Sequence, residues 1–293
     1  MTPRAQGMLL MLGASTTFSS GGLLVRLADA TPPAAMVFWR SAIVFLFLLA
    51  LLAAWHGREL PARVREGGVA GLVSAAFLGA TFALFIFAVT RTPVANAAAL
   101  MSTGPLMLTA SARLLLGERA PPATWAAIAV ALCGIALMFS DGFGNGGEAL
   151  GNLLAFCIPL SFTASYLILR RSASKPDPAI TGMIASLFAT VAVVPFAWPI
   201  AWPSRDLPVL LAMGLVQTGL GLLLLMLAVH RLRAAELGMV GLLEMVLAPV
   251  WVWALLAERP TDAALAGGVV VVGAVFANQL AQVLGREPAT GPG

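Results

Sequence analysis

The sequence predicts an all-α polytopic membrane protein, with ten transmembrane helices arranged as two inverted five-helix repeats. Three observations carry that prediction. Of 293 residues, 60% are hydrophobic and 10% charged. A soluble domain carries about 25% charged residues, so this chain cannot cover a globule with polar surface. Next, residues 88–119 and 228–259 are one unit written twice at an offset of 140. Each copy opens Ala-Val-x-Arg, carries an internal proline (Pro105 or Pro249) and closes Glu-Arg. Finally, the repeated unit holds an odd number of apolar segments. Its second copy must therefore enter the bilayer from the opposite side.

A spanning helix needs about 20 apolar residues. Ten segments meet this, at 7–25, 34–55, 68–89, 93–116, 122–140, 150–169, 179–202, 208–229, 234–257 and 263–284. The first and sixth correspond at an offset of 144: Gly7, Leu9, Leu10, Phe18, Leu23 and Arg26 match Gly151, Leu153, Leu154, Phe162, Leu167 and Arg170. The third and eighth correspond at 140, through Gly79, Ala88 and Val89 against Gly219, Ala228 and Val229. The four lost residues fall between the seventh and eighth segments, where the second half has no loop as long as 56–67. The chain divides into a first repeat, 1–145, and a second, 146–293. Arg4, an apolar run and Ala28-Asp29-Ala30 imitate a cleavable signal. A removable signal would have no twin in mid-chain, so the first segment reads as retained.

Charge gives an orientation. With the N-terminus inside, the inner side receives Arg4, Arg58, Arg63, Arg65, Arg113, Arg119, Arg170, Arg171, Lys175, Arg231, Arg233 and Arg286, twelve in all. The outer side receives five, Arg26, Arg40, Arg91, Arg205 and Arg259. That bias favours both termini in the cytoplasm. The basic residues thus orient a membrane protein, and no nucleic acid is implied. Trp55 and Trp125 fall near the inner interface, and Trp198, Trp202 and Trp253 near the outer one, as anchors. Small residues recur at Ala123, Ala127 and Ala131, at Ala264 and Gly268, and at Gly273, Ala277 and Ala281. Such stripes let helices approach closely, inside a monomer or across a homodimer. Cys133 and Cys157 lie within apolar segments and form neither a disulfide framework nor a metal-ligand spacing.

No HExxH, GxSxG or nucleotide loop occurs, and His56 and His230 lie at helix ends. No catalytic residue, metal or cofactor is expected, and an enzyme is excluded on that ground. The informative residues are polar groups at membrane depth. Glu244 lies ten residues into its segment, about 15 Å from the end at ~1.5 Å per residue and so near the midplane. A carboxylate there costs about 2.5–3.5 kcal/mol on insertion scales. It should therefore line a cavity, or else sit protonated against a neighbouring helix. Asn96 and Glu236 hold equivalent places near the starts of the fourth and ninth segments, as gates or as helix-start polar groups. Thr103 lies seven residues after Asn96 on the same face. Tyr166 and Gln217 are further deep hydrogen-bonding groups. Phe77, Thr81 and Phe85 follow i, i+4, i+8 spacing, and Phe77 aligns with Gln217 across the repeat. Pro105 and Pro249 each free a carbonyl and are hinge candidates.

Two five-helix units, Phe38-Trp39-Arg40 opening the second segment, and a fourth segment closing Leu116-Gly117-Glu118-Arg119 together resemble the drug/metabolite transporter superfamily. The similarity is to its EamA-type exporters, which include YddG-like amino-acid exporters. The second half departs slightly, with Leu256-Ala257-Glu258-Arg259 and a proline at Pro249 rather than directly after Glu244. The resemblance implies that Glu118 and Glu258 serve the fold. It implies a secondary transporter of the bacterial inner membrane, working by alternating access. With no Lys at membrane depth and arginines read as interfacial, phosphate cargo is disfavoured. Amino acids, aromatic and hydrophobic ones included, or similar neutral and zwitterionic metabolites fit better. A proton-coupled exporter of lipophilic cations is the alternative, with a channel or a non-transporting scaffold behind it.

The orientation is directly testable. With Cys133 and Cys157 replaced by Ser, a cysteine at Gly144 should react with an impermeant thiol reagent on intact cells. One at Ser172 should not; the reverse pattern overturns the orientation.

Overall fold

The computed structural model describes residues 3–116, 122–140, 146–172, 177–229, 231–232, 234–259 and 261–284. Helix follows helix throughout, with no strand among the described residues. Helix α1 spans Pro3–Ser19 and resumes as Gly21–Leu27. Then come α2 (Pro33–His56), α3 (Gly68–Val89), and α4 in two pieces, α4a (Val94–Met101) and α4b (Gly104–Leu116). Helices α5 (Pro122–Ser140), α6 (Gly146–Arg171) and α7 (Pro178–Ala197) follow. Helix α8 runs Leu207–Leu211, continues as a π-helical stretch Ala212–Leu220, and ends as Gly221–Val229. The last two are α9 (Ala234–Leu256) and α10 (Asp262–Leu284). Six of these spans are long and apolar enough to cross a membrane among the described residues. The other four are the broken α4 and the shorter apolar runs within α5, α9 and α10. The 56–67 connection, read above as a loop, holds a single 3-10 turn and a short helix, Leu60–Glu66.

Local chemistry sets these boundaries. Pro33 and Pro178 stand in the first turns of α2 and α7, where a missing N–H costs nothing. Asp177 caps α7, accepting a hydrogen bond from the Ala179 N–H at 2.8 Å. Gly57 ends α2 at φ +52, a conformation that glycine adopts without strain. The long apolar residues point outward as well as inward: Leu46, Val69, Leu114, Phe196 and Val269 are all more than 60% exposed. Lipid, not water, is the solvent such a surface suits. The five predicted tryptophan anchors are all exposed.

The halves interlock. Helix α1 packs on α8 and α9, and α6 packs on α3 and α4. Helix α7 packs on α2 and α3, and α5 on α10. Each half thus gives its first helix to the other half's third and fourth. The glycines record this exchange. A Cβ on Gly7 would stand 2.8 Å from Arg231 Cβ, and a Cβ on Gly151 would stand 2.9 Å from Arg91 Cβ. Gly7 and Gly151 are repeat equivalents, and so are Arg91 and Arg231. One contact is therefore made twice, at the two ends of the bundle.

The small-residue stripe of α5 packs within the chain: Ala127 and Ala131 are buried, and Gly134 allows close approach to Gly267 of α10. On α10 the buried face is Val271, Ala274, Val275 and Asn278. The Gly273, Ala277 and Ala281 stripe is exposed instead, because the α5 contact selects the neighbouring face.

Close approach makes a sharp prediction. A Cβ on Gly79 would lie 2.5 Å from the Ala185 carbonyl oxygen of α7. Gly79→Ala should push α3 and α7 apart, costing about 1–3 kcal/mol and lowering the melting temperature of the purified protein by several degrees. Gly147→Ala, into open space, should leave it unchanged.

Candidate substrate cavity

Among the irregular spanning helices, α1, α4 and α9 meet around one cavity. In α1, the Ser19 and Ser20 hydroxyls donate to the Thr16 and Thr17 carbonyls at 2.7 and 2.6 Å, and the helix is interrupted at Ser20. Back-bonding of this kind bends helices. In α4, the break falls at Ser102–Thr103, just ahead of Pro105. Pro105 has no N–H for the Met101 carbonyl. The Ser102 and Thr103 hydroxyls donate to Ala99 and Leu100 carbonyls, each at 2.7 Å, and satisfy the loosened turn. In α9, Pro249 leaves the Met245 carbonyl without its usual donor, although the helix continues.

A cavity lies where these irregularities converge. Phe18, Ser19 and Gly22 of α1 form one wall, and Phe85 and Val89 of α3 a second. Val94, Ala97, Ala98 and Met101 of α4a, with Glu244, Met245 and Ala248 of α9, complete it. Both methionines whose carbonyls the prolines release are in the lining. The space open to the centre of a water-sized molecule is about 20 Å³, room for roughly one water. Any organic substrate requires the walls to part. Gly22 makes the close approach possible, since a Cβ there would lie 2.5 Å from Val94 Cγ1. The Trp251 indole N–H donates to Ser19 Oγ at 2.9 Å, tying α9 to α1 beside the cavity.

Glu244 is partly buried in this wall. Its carboxylate makes no hydrogen bond or ion pair with any described residue. Gln217, in the π-helical stretch of α8, adjoins the same wall: its amide donates to the Phe18 carbonyl at 3.5 Å and accepts from Thr218 at 2.7 Å. Gln217 Nε2 and the tip of the Phe85 ring both lie against Gly21.

Of the predicted site residues, the cavity brings together Phe85 and Glu244, with Gln217 at its margin. It does not take in the others. Phe77 is 41% exposed and Tyr166 42% exposed. Thr81 donates to the Phe77 carbonyl within its own helix at 3.2 Å. Thr103 lies in the α4 break. Asn96, 1% exposed, donates to Glu148 at 3.3 Å. The Glu236 side chain lies outside the described residues. Spacing of i, i+4, i+8 advances about 80° around a helix of 3.6 residues per turn. That drift carries Phe85 to the cavity while Phe77 stays at the surface.

Arg40, counted above with the outer-side arginines, is 4% exposed inside the bundle. Its guanidinium stands over the Phe82 and Phe85 rings at 5.5 and 5.7 Å. It is thus packed among helices and not on the protein surface, which the sequence reading did not anticipate and which weakens its case against anionic groups in the cargo.

One end of the bundle is closed by polar contacts. Arg26 Nε lies 2.9 Å from Glu258 Oε2, and Arg26 also donates to Glu258 Oε1 and to the Thr92 carbonyl, both at 3.1 Å. Glu258 further accepts the Val94 N–H at 3.3 Å, at the start of α4a. Thr92 donates to Asn152 of α6. Asp206 accepts from Ala30 N–H at 3.0 Å and Thr31 at 2.7 Å, and Arg205 pairs with Asp29 at 3.4 Å. Glu258 thus joins the ends of α1 and α9 to the start of α4. Glu118 lies outside the described residues.

Comparison with known proteins agrees with this architecture. Residues 5–140 and residues 149–278 each match the EamA-like transporter family. The chain belongs to that family, within the drug/metabolite transporter superfamily, and is a multi-pass membrane transporter. It is 28% identical over 276 residues to the pseudopaline exporter CntI of Pseudomonas aeruginosa, covering 92% of this chain and 95% of that one. It is 33% identical over 118 residues to a riboflavin transporter of Rhizobium johnstonii, 39% of this chain and 38% of that one. A solved crystal structure shares the fold at a TM-score of 0.61 and 20% identity, covering 96% of this chain and 99% of that one.

The Ser19–Trp251 bond should contribute about 1 kcal/mol. Ser19→Ala and Trp251→Phe should each lower thermal stability. The double variant should fall short of their sum, because the two share one interaction; strict additivity would contradict the contact.

Proposed function

We propose that the chain exports small zwitterionic metabolites across a bacterial inner membrane, with apolar and aromatic amino acids first among them. The observation that carries this reading is the carboxylate of Glu244, unpartnered among the described residues, in a lining that apart from Ser19 is apolar and includes Phe18, Phe85, Met101 and Met245. Such a site offers one counter-charge for an ammonium group and a soft apolar surface for a side chain. Both relatives have metabolite cargo by name, which supports a metabolite exporter and is neutral on amino acids. An aromatic pocket with one acid also suits lipophilic cations, so multidrug export is the second reading. Inverted halves that meet at the breaks of α1 and α4 and the proline of α9 support alternating access, in which the ends of the cavity open in turn.

Purified protein in liposomes should show saturable counterflow of labelled phenylalanine or leucine. Failure with a broad amino-acid panel, together with movement of lipophilic cations, transfers the function to the second reading. Glu244→Gln keeps shape but cannot ionise. Direct ammonium binding predicts affinity weakened about tenfold, with exchange and net transport falling together. Retained exchange with loss of pH-driven accumulation would make Glu244 a proton carrier instead, and a silent variant would remove it from both roles.

A further inference from the structure

Arg40 is buried and charged, yet it has no anion. It lies in the first third of α2, 4% exposed. Its Nε and Nη1 are shielded from solvent and meet no hydrogen-bond acceptor among the described residues. No carboxylate among the described residues pairs with it. What it has is aromatic: the faces of Phe82 and Phe85, at 5.5 and 5.7 Å from the ring centroids. A guanidinium stays protonated in proteins, and two ring quadrupoles compensate only part of the loss of water. An arginine held this way is ready for an oxyanion, which its planar fork can bind through two parallel hydrogen bonds.

The place of that oxyanion follows from Phe85. One ring is shared: it carries the Arg40 contact and also lines the cavity that contains Glu244. Phe85 is therefore the one residue that touches both the unpaired guanidinium and the cavity whose wall holds the Glu244 carboxyl. Gly21, which the Phe85 ring tip and the Gln217 amide both abut, gives that ring a small, yielding neighbour. The cavity is too small for an organic molecule as it stands, so cargo can enter only if wall residues move, and Phe85 is the wall residue that contacts Arg40.

We propose that Arg40 is the carboxylate subsite of the transport cavity, uncovered when Phe85 swings aside, and that it works opposite Glu244 to hold a zwitterion by both its charges. This rests on the cargo reading given above and deepens it. The site selects cargo bearing a carboxylate as well as an ammonium group, and so discriminates against simple lipophilic cations.

The test compares probes that differ in one charge. Wild-type protein and Arg40→Gln, reconstituted in nanodiscs, are titrated with phenylalanine, phenylalaninamide, 3-phenylpropionate and 3-phenylpropionamide. Wild type should bind phenylalanine about tenfold more tightly than the amide, the size of one charge-assisted contact. In Arg40→Gln the acid should fall to the level of the amide, while amide affinity holds, which also shows that the variant is folded. Arg40→Lys, which keeps the charge without the fork, should retain a reduced preference and carries the test if Gln does not purify. Equal loss of acid and amide in a folded variant would make Arg40 a structural cation and overturn the proposal. So would a wild type that transports phenylalanine with no preference for acid over amide, although amino-acid export would then stand. If labelled amino acids do not move at all, the export reading falls. The subsite is then decided by 3-phenylpropionate against its amide: a preference lost in Arg40→Gln keeps it, and no preference ends it.

Discussion

The exchange of first helices between the halves is the constraint on which the rest of the structure depends. Helix α1 belongs by sequence to the first repeat and by packing to α8 and α9 of the second. Helix α6 makes the reciprocal contact with α3 and α4. An odd repeat forces the inversion, and the inversion allows one surface to be used twice. The glycines at 7 and 151 record that exchange, and those at 79 and 219 record a second reciprocal contact, against α7 and α2, each facing a neighbour that leaves no room for a Cβ. The interlock also fixes where a site can form. Helix α9 packs on both α1 and α4a, and all three line the same cavity.

In a membrane, an interrupted helix leaves backbone groups that lipid cannot satisfy. The chain answers locally. Hydroxyls of Thr17, Ser19, Ser20, Ser102 and Thr103 each donate to a carbonyl three residues back. Such bonds are modest and reversible, which suits helices that have to bend. The closed end is built differently, from charge: Arg26, Glu258 and the α4a start tie three helices through one carboxylate. The two arrangements divide the labour, with soft bonds around the cavity and a polar clasp at one mouth.

Much of this was legible in the residues. The duplicated stretch gave the repeat, and the repeat gave the inversion. Glu244 was legible because a charge ten residues into an apolar segment has few reasons to exist. Phe85 was nominated by spacing and Gln217 by depth and alignment, but spacing also nominated Phe77 and Thr81, and depth also nominated Tyr166. Periodicity identifies a helical face without saying which neighbour it meets. The burial of Arg40 was missed for a related reason. Seven residues after Pro33, it read as an outer-side charge, and spacing did not show that it packs against the rings of Phe82 and Phe85. Ser19 and Gly22 were passed over, although Ser19-Ser20-Gly21-Gly22, four poor helix formers inside an apolar span, was a signal in plain view. The π-helical stretch around Gln217 has no counterpart in α3, and the matching apolar patterns of the two segments concealed that difference.

The central claim is that the cavity between α1, α3, α4 and α9 is the transport site and faces each side of the membrane in turn. The most direct measurement places a single cysteine at Ala248, in the cavity lining, with Cys133 and Cys157 replaced by Ser. An impermeant thiol reagent is applied to right-side-out and to inside-out vesicles, with and without substrate. The account predicts labelling from both sides, with substrate slowing both. Labelling from one side only, or labelling from both that substrate leaves untouched, would contradict it.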